Sequence, residues 1–100
     1  MLKHVVMFKM LASLDPEAKQ AAKAEVKTQL LTLPAQIEEL RAIEVGLNIL
    51  ESERSFDVVL ISEFDNQADL ATYAQHPAHQ AVLVYIRSVC GNIVATDYEY

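Results

Sequence analysis

A chain of 100 residues, 52% hydrophobic and 22% charged, is long enough for one globular domain over residues 1–100, too short for two, and too apolar for a disordered segment. Eight basic residues against fourteen acidic ones leave a net charge of −6, which argues against nucleic acid and anionic membrane surfaces as partners. The lone Cys90 forms no intrachain disulfide and belongs to no zinc spacing, Lys9 interrupts any signal-like apolar start, and no apolar run approaches the roughly twenty residues of a membrane span, so a reducing, cytoplasmic location is expected.

Lys3 to Met10 alternates with β-branched and aromatic residues and predicts a strand, with His4, Val6, Phe8 and Met10 on one face and Val5, Met7 and Lys9 on the other. Asp15-Pro16-Glu17 is a helix start, with Asp as N-cap and Pro in the first turn. That helix is expected to run to about Leu33, before Pro34, with Ala22, Val26, Leu30 and Leu33 on its apolar side and Lys19, Lys23 and Lys27 as a solvated stripe. Arg41 to Leu50 alternates again, with Ile43, Val45, Leu47 and Ile49 on one face and Gly46 marking a bulge or a close approach. The polar stretch Glu51 to Ser55 connects to a strand from Phe56 to Phe64, with Val59 and Ile61 on one face beside Asp57 and Glu63. Asp65 or Asn66 caps a short helix carrying Leu70, Tyr73 and Ala74. His76-Pro77 breaks it and starts a second helix from Pro77 to about Val89, with His76 as cap and Gly91 just past the end. Asn92 to Tyr100 is a last strand, with Val94, Thr96, Tyr98 and Tyr100 on one face and Ile93, Ala95, Asp97 and Glu99 on the other.

The order is β-α-β-β-α-β, the ferredoxin-like α+β arrangement of a four-stranded antiparallel sheet with helices on one face. The first and third strands are central in that topology, and here both are apolar on both faces. Helices cover one face only, so Val5, Met7, Val59 and Ile61 would form a contiguous exposed patch. A second copy packing sheet against sheet, as a homodimer, is the expected solution.

Lys3-His4-Val5-Val6-Met7-Phe8-Lys9, Glu44-Val45-Gly46-Leu47-Asn48, Tyr73-Ala74-Gln75-His76-Pro77-Ala78-His79 and Thr96-Asp97-Tyr98-Glu99 together resemble the stress-responsive dimeric α/β-barrel (Dabb) family, in the right order and over essentially the whole chain. The resemblance implies homodimers whose two sheets close into a barrel with helices outside. The family's clearest enzyme, the plant olivetolic acid cyclase, closes a polyketide chain by an intramolecular aldol reaction. On its motif, His79 falls on the catalytic histidine, Tyr73 on the catalytic tyrosine, Asp97 on the aspartate that orients the histidine, and His4 on a cavity-lining histidine. The first helix here is alanine-rich where the cyclase presents bulky aromatics, so the substrate does not carry over.

On physical grounds His79, with Val82, Leu83 and Ile86 at i+3, i+4 and i+7, sits on an apolar helix face where burial favours its neutral, basic form. A neighbouring Asp97 would fix its tautomer, and Tyr73 would donate a hydrogen bond to a developing enolate oxygen. The same residues also read as structural: a buried His–Asp bond locking helix to strand, with Tyr73 a core aromatic. His4, Val6 and Phe8 share the face that would line a small organic ligand in a cavity between helices and sheet; a core histidine is the alternative for His4. No metal site is expected, since Pro77 places His76 at the helix boundary and no carboxylate sits at a recognised spacing beside it and His79; nothing names a haem or flavin ligand; and with Gly46 and Gly91 the only glycines, a Gly-rich phosphate loop is excluded. The readings are therefore a small-molecule-binding barrel with cyclase- or isomerase-like proton transfer, a non-enzymatic stress-related or structural dimer, and, third, a cofactor-free monooxygenase.

Overall fold

Asp15 starts the first helix as its residue type dictates: its side chain accepts from the Ala18 N–H at 2.8 Å, and Pro16 fills the first turn. The computed structural model describes residues 1–100, in the order β1 (Leu2–Met10), α1 (Pro16–Leu30), a 3₁₀ turn (Leu33–Ala35), β2 (Ala42–Leu47), β3 (Val58–Phe64), α2 (Gln67–Gln75), α3 (Pro77–Val89) and β4 (Cys90–Glu99). The four strands form one antiparallel sheet, β2-β3-β1-β4, with Val5 opposite Ile61, Val45 opposite Leu60 and His4 opposite Asp97. This is the ferredoxin-like fold, with β1 and β3 central. No helix is long and apolar enough to cross a membrane.

The core lies between the helices and one face of the sheet. Val6 and Phe8 of β1 and Val58, Leu60 and Phe64 of β3 meet Ala22, Val26 and Leu30 of α1, Leu33, Ile37 and Leu40 of the connection, and Tyr73, Val82 and Ile86 of α2 and α3. Each large side chain so buried contributes roughly 1.5–3 kcal/mol. The opposite face has no layer over it and carries Val5, Met7, Val59, Ile61, Val94 and Tyr98, with Met7 41% and Tyr98 46% exposed. Strand β4 is exposed along nearly its whole length, from Gly91 to Glu99.

The structure departs from the sequence expectations at several points, each with a local cause. Helix α1 stops at Leu30, and Pro34, which lacks an N–H, is taken up in the separate 3₁₀ turn. Strand β2 ends at Leu47, where the Asn48 amide bonds the Leu50 carbonyl at 3.1 Å and turns the chain, leaving Ile49 88% and Leu50 77% exposed. Strand β3 starts at Val58, and the alternation breaks there, since Asp57 and Val58 are both buried. The inward Asp57 carboxylate accepts from the Met10 N–H at 2.8 Å and pairs with Lys19 at 3.2 Å.

Lys23 is not solvated: it is only 2% exposed and its ammonium donates to the Asn48 carbonyl at 3.0 Å, tying α1 to the β2–β3 loop. Asn66, not Asp65, caps α2. Gly91 has no positive φ and lies inside β4, which follows α3 without a glycine cap. Gly46 is a close approach: a Cβ there would lie 3.1 Å from Val59 Cγ1.

Candidate functional site

The elbow between α2 and α3 builds the centre of the site. Pro77 forces extended backbone on His76, whose N–H donates to the Tyr73 carbonyl at 3.1 Å and whose Nδ1 accepts from the Ala78 N–H at 3.0 Å. The chain reverses there, so Tyr73 of α2 and His79 of α3 face each other with ring centroids 4.4 Å apart. The Ala74 carbonyl, freed at the end of α2, accepts from His79 Nδ1 at 3.0 Å and from the Gln80 side-chain amide at 2.6 Å. A carbonyl only accepts, so His79 carries its proton on Nδ1 and leaves Nε2 as a free base. Burial lowers the His79 pKa; the Ala74 hydrogen bond opposes this, and the nearby His4 and Arg87 charges add to it.

Tyr73 is enclosed, 1% exposed, with Phe64 at 5.0 Å, His79 at 4.4 Å and His4 at 6.4 Å between ring centroids. Its hydroxyl is the one buried side-chain polar atom in the protein without a hydrogen-bond partner. Leaving such a group unpaired costs about 1–3 kcal/mol, so natural cores rarely keep one. Desolvation pushes the phenol pKa up to about 12, so it remains an O–H donor at neutral pH.

His4 on β1 donates from Nδ1 to the Asp97 carboxylate on β4. The expected Asp97–His79 pair is therefore corrected. Asp97 sits directly across the ladder from His4 on the same face, while the Nδ1 of His79 is already taken by its own elbow. Both histidines thus have Nδ1 anchored and Nε2 unpartnered, one on each side of Tyr73.

Val6 and Phe8, expected to line the ligand cavity, are 7% and 2% exposed and packed into the core. Space opens instead at the uncovered edge, a cleft of about 490 Å³ between α2 and β4 lined by Leu2, Leu70, Ala71, Ala74, Asp97 and Glu99, with Gln67 and Tyr98 at its margin. Asp97 and Ala74, which hold His4 and His79, are its inner wall. The sequence carries a signal for this wall: Leu70, Ala71 and Ala74 share a helix face, and Asp97 and Glu99 share a strand face. No group of three or more His, Cys, Asp or Glu side chains is gathered in a way that would hold a metal ion.

A family model described as the stress responsive A/B barrel domain (Dabb) matches residues 2–100. An uncharacterized protein of Streptomyces coelicolor is 33% identical over 101 residues, covering 100% of both chains. A solved structure from Bacteroides fragilis, described as a dimeric protein of unknown function with a ferredoxin-like fold, superposes with a TM-score of 0.90 at 35% identity over 99% of this chain and 95% of that one. The hydroxynitrile lyase of Passiflora edulis shares the fold, with a TM-score of 0.79 over 97% of this chain and 90% of that one, at 16% identity.

The lowered His79 pKa has a consequence for stability. As pH falls from about 6.5, the unfolded chain binds a proton at His79 that the folded chain refuses, so stability is lost as pH drops toward the folded pKa. Proton NMR is expected to show His79 titrating below 6.5, and His79→Gln is expected to flatten that part of the acid limb. A His79 titration at or above 6.5 would refute the burial account.

Proposed function

The chain belongs to the stress responsive A/B barrel (Dabb) family, and on that premise we propose that it is a homodimer that binds a small organic carbonyl compound beside Tyr73 and transfers a proton on it. The observation that carries this reading is the Tyr73 hydroxyl, buried without a partner between two histidines. A ligand oxygen placed there supplies the missing acceptor.

His79 is the base. Its Nε2 takes the proton α to the carbonyl, the C–H electron pair moves into the enolate, and the Tyr73 O–H donates a hydrogen bond to the developing oxygen anion. The Ala74 carbonyl takes the orienting role expected of Asp97, by holding Nδ1–H. The proton taken up at His79 Nε2 is the one returned to the enolate carbon, and His4, held by Asp97 on the sheet side, is a polar group beside the Tyr73 ring. The cleft between α2 and β4 is the way in.

The dimer forms through the uncovered sheet face. Its apolar side chains, Val5, Met7, Val59, Ile61 and Val94, support this, as does the dimeric description of the Bacteroides fragilis relative. This face lies opposite the cleft, so assembly leaves the site open. The single free thiol, Cys90, suits a reducing compartment, and a cytoplasmic location belongs to the same reading.

Two measurements test the proposal. In D₂O, the protein is expected to catalyse exchange of α-protons of small ketones, followed by NMR. Tyr73→Phe should lower the rate on the order of 10²-fold, as loss of an oxyanion donor does, and His79→Ala on the order of 10²–10⁴-fold. Exchange no faster than buffer with every ketone tried would leave the non-enzymatic dimer as the better reading. Sedimentation is expected to give about twice the 11.2 kDa chain mass, and Ile61→Asp to give the single chain. A wild-type protein that sediments as a single chain, or an Ile61→Asp variant that stays dimeric, would remove the sheet-face interface.

A further inference from the structure

The cleft between α2 and β4 has a one-sided electrostatic character. Its acidic lining residues are Asp97 and Glu99, and no lysine or arginine lines it. The cations at this end of the sheet lie outside the lining: the Met1 ammonium donates to the Tyr100 carbonyl at 3.3 Å, Lys3 Nζ lies over the Tyr100 ring, and His4 is engaged by Asp97. The Gln67 amide reaches one Glu99 oxygen at 3.3 Å and leaves the other without a protein donor. Beneath these carboxylates the floor is apolar: Leu2, Leu70, Ala71 and Ala74. The chain as a whole adds a net charge of −6, so the local field is reinforced.

We propose that the cleft selects its ligand by charge, accepting uncharged carbonyl compounds with an apolar body and turning away those that carry a carboxylate or phosphate. The proposal rests on the reading of this cleft as a binding site and narrows its substrate class. A negative group entering the cleft meets two carboxylates with no cation among the lining side chains to neutralise it. An uncharged ketone meets the apolar side chains Leu2, Leu70, Ala71 and Ala74 with no such penalty. Thioesters of phosphate-bearing carriers fall in the excluded class, because their charge would have to sit beside the Asp97 and Glu99 carboxylates.

The test is a titration of matched pairs, acetophenone against 4-acetylbenzoate and 2-octanone against 7-oxooctanoate, followed in ¹H–¹⁵N spectra at the Leu2, Ala71 and Ala74 amides. The uncharged member of each pair is expected to bind at least about ten-fold more tightly in low salt. The gap is expected to shrink in about 1 M salt, where charge interactions are screened beyond roughly 3 Å. Glu99→Gln, which keeps a partner for Gln67 and removes one charge, is expected to narrow the gap between the two members of each pair. Equal binding of both members at these amides overturns the charge selection and leaves the site standing. A preference for the uncharged member that persists in Glu99→Gln and in high salt overturns it too, since apolar contact alone then explains the order. Perturbation of none of these amides by either pair overturns the site reading and this inference together.

Discussion

Three helices cover one face of the sheet yet leave its fourth strand exposed from Gly91 onward, and most of the molecule follows from that exposure. Over β1, β2 and β3 the helices complete a core in which Val26, Leu33, Ile37, Phe64 and Ile86 are almost wholly enclosed. On the other face the two central strands keep Val5, Met7, Val59 and Ile61 without a covering layer. Along β4 the helix side is open, and the gap beside α2 becomes the cleft. The proposed dimer covers the bare face, and the proposed ligand site uses the cleft.

The elbow at His76-Pro77 is what turns the cleft into something chemical. A continuous helix would carry Tyr73 and His79, six residues apart, onto different faces. The break folds one against the other and frees the Ala74 carbonyl to fix the His79 tautomer. The β1–β4 register adds His4 and Asp97 from the sheet side. The result is a phenol held in its O–H form between two imidazoles, with nothing in the protein to receive its hydrogen bond. A purely structural tyrosine at that depth would be expected to find an acceptor.

Much of this was legible in the sequence, and the parts that were not share a cause. Element types and order, the α2–α3 break, the central placing of β1 and β3, and the identity of His4, Tyr73, His79 and Asp97 as the notable polar residues follow from periodicity, capping and resemblance. The pairing among those residues does not. Periodicity places His4 and Asp97 on helix-facing positions of two strands, but only the ladder register sets them opposite each other. Likewise, local spacing makes Lys23 look like one of three surface lysines. Its burial depends on where the β2–β3 loop folds back, 25 residues later in the chain. Asp57 deceives for a related reason: the Met10 N–H it satisfies is 47 residues away, and that bond turns the carboxylate inward against the alternation. Val6 and Phe8 were assigned to a cavity wall because they share a face with His4, yet the alanine-rich α1 packs close enough for them to be core.

The central claim is that the Tyr73 hydroxyl is kept unpaired for a ligand and not for the fold. The direct measurement is the unfolding free energy of Tyr73→Phe against wild type, by denaturant titration at one fixed protein concentration and without ligand. Removing a buried hydroxyl that has no partner predicts unchanged stability or a gain of up to about 1 kcal/mol. A loss of about 1 kcal/mol or more would mean that the hydroxyl makes a stabilising bond in the folded protein, and the site would then be part of the core.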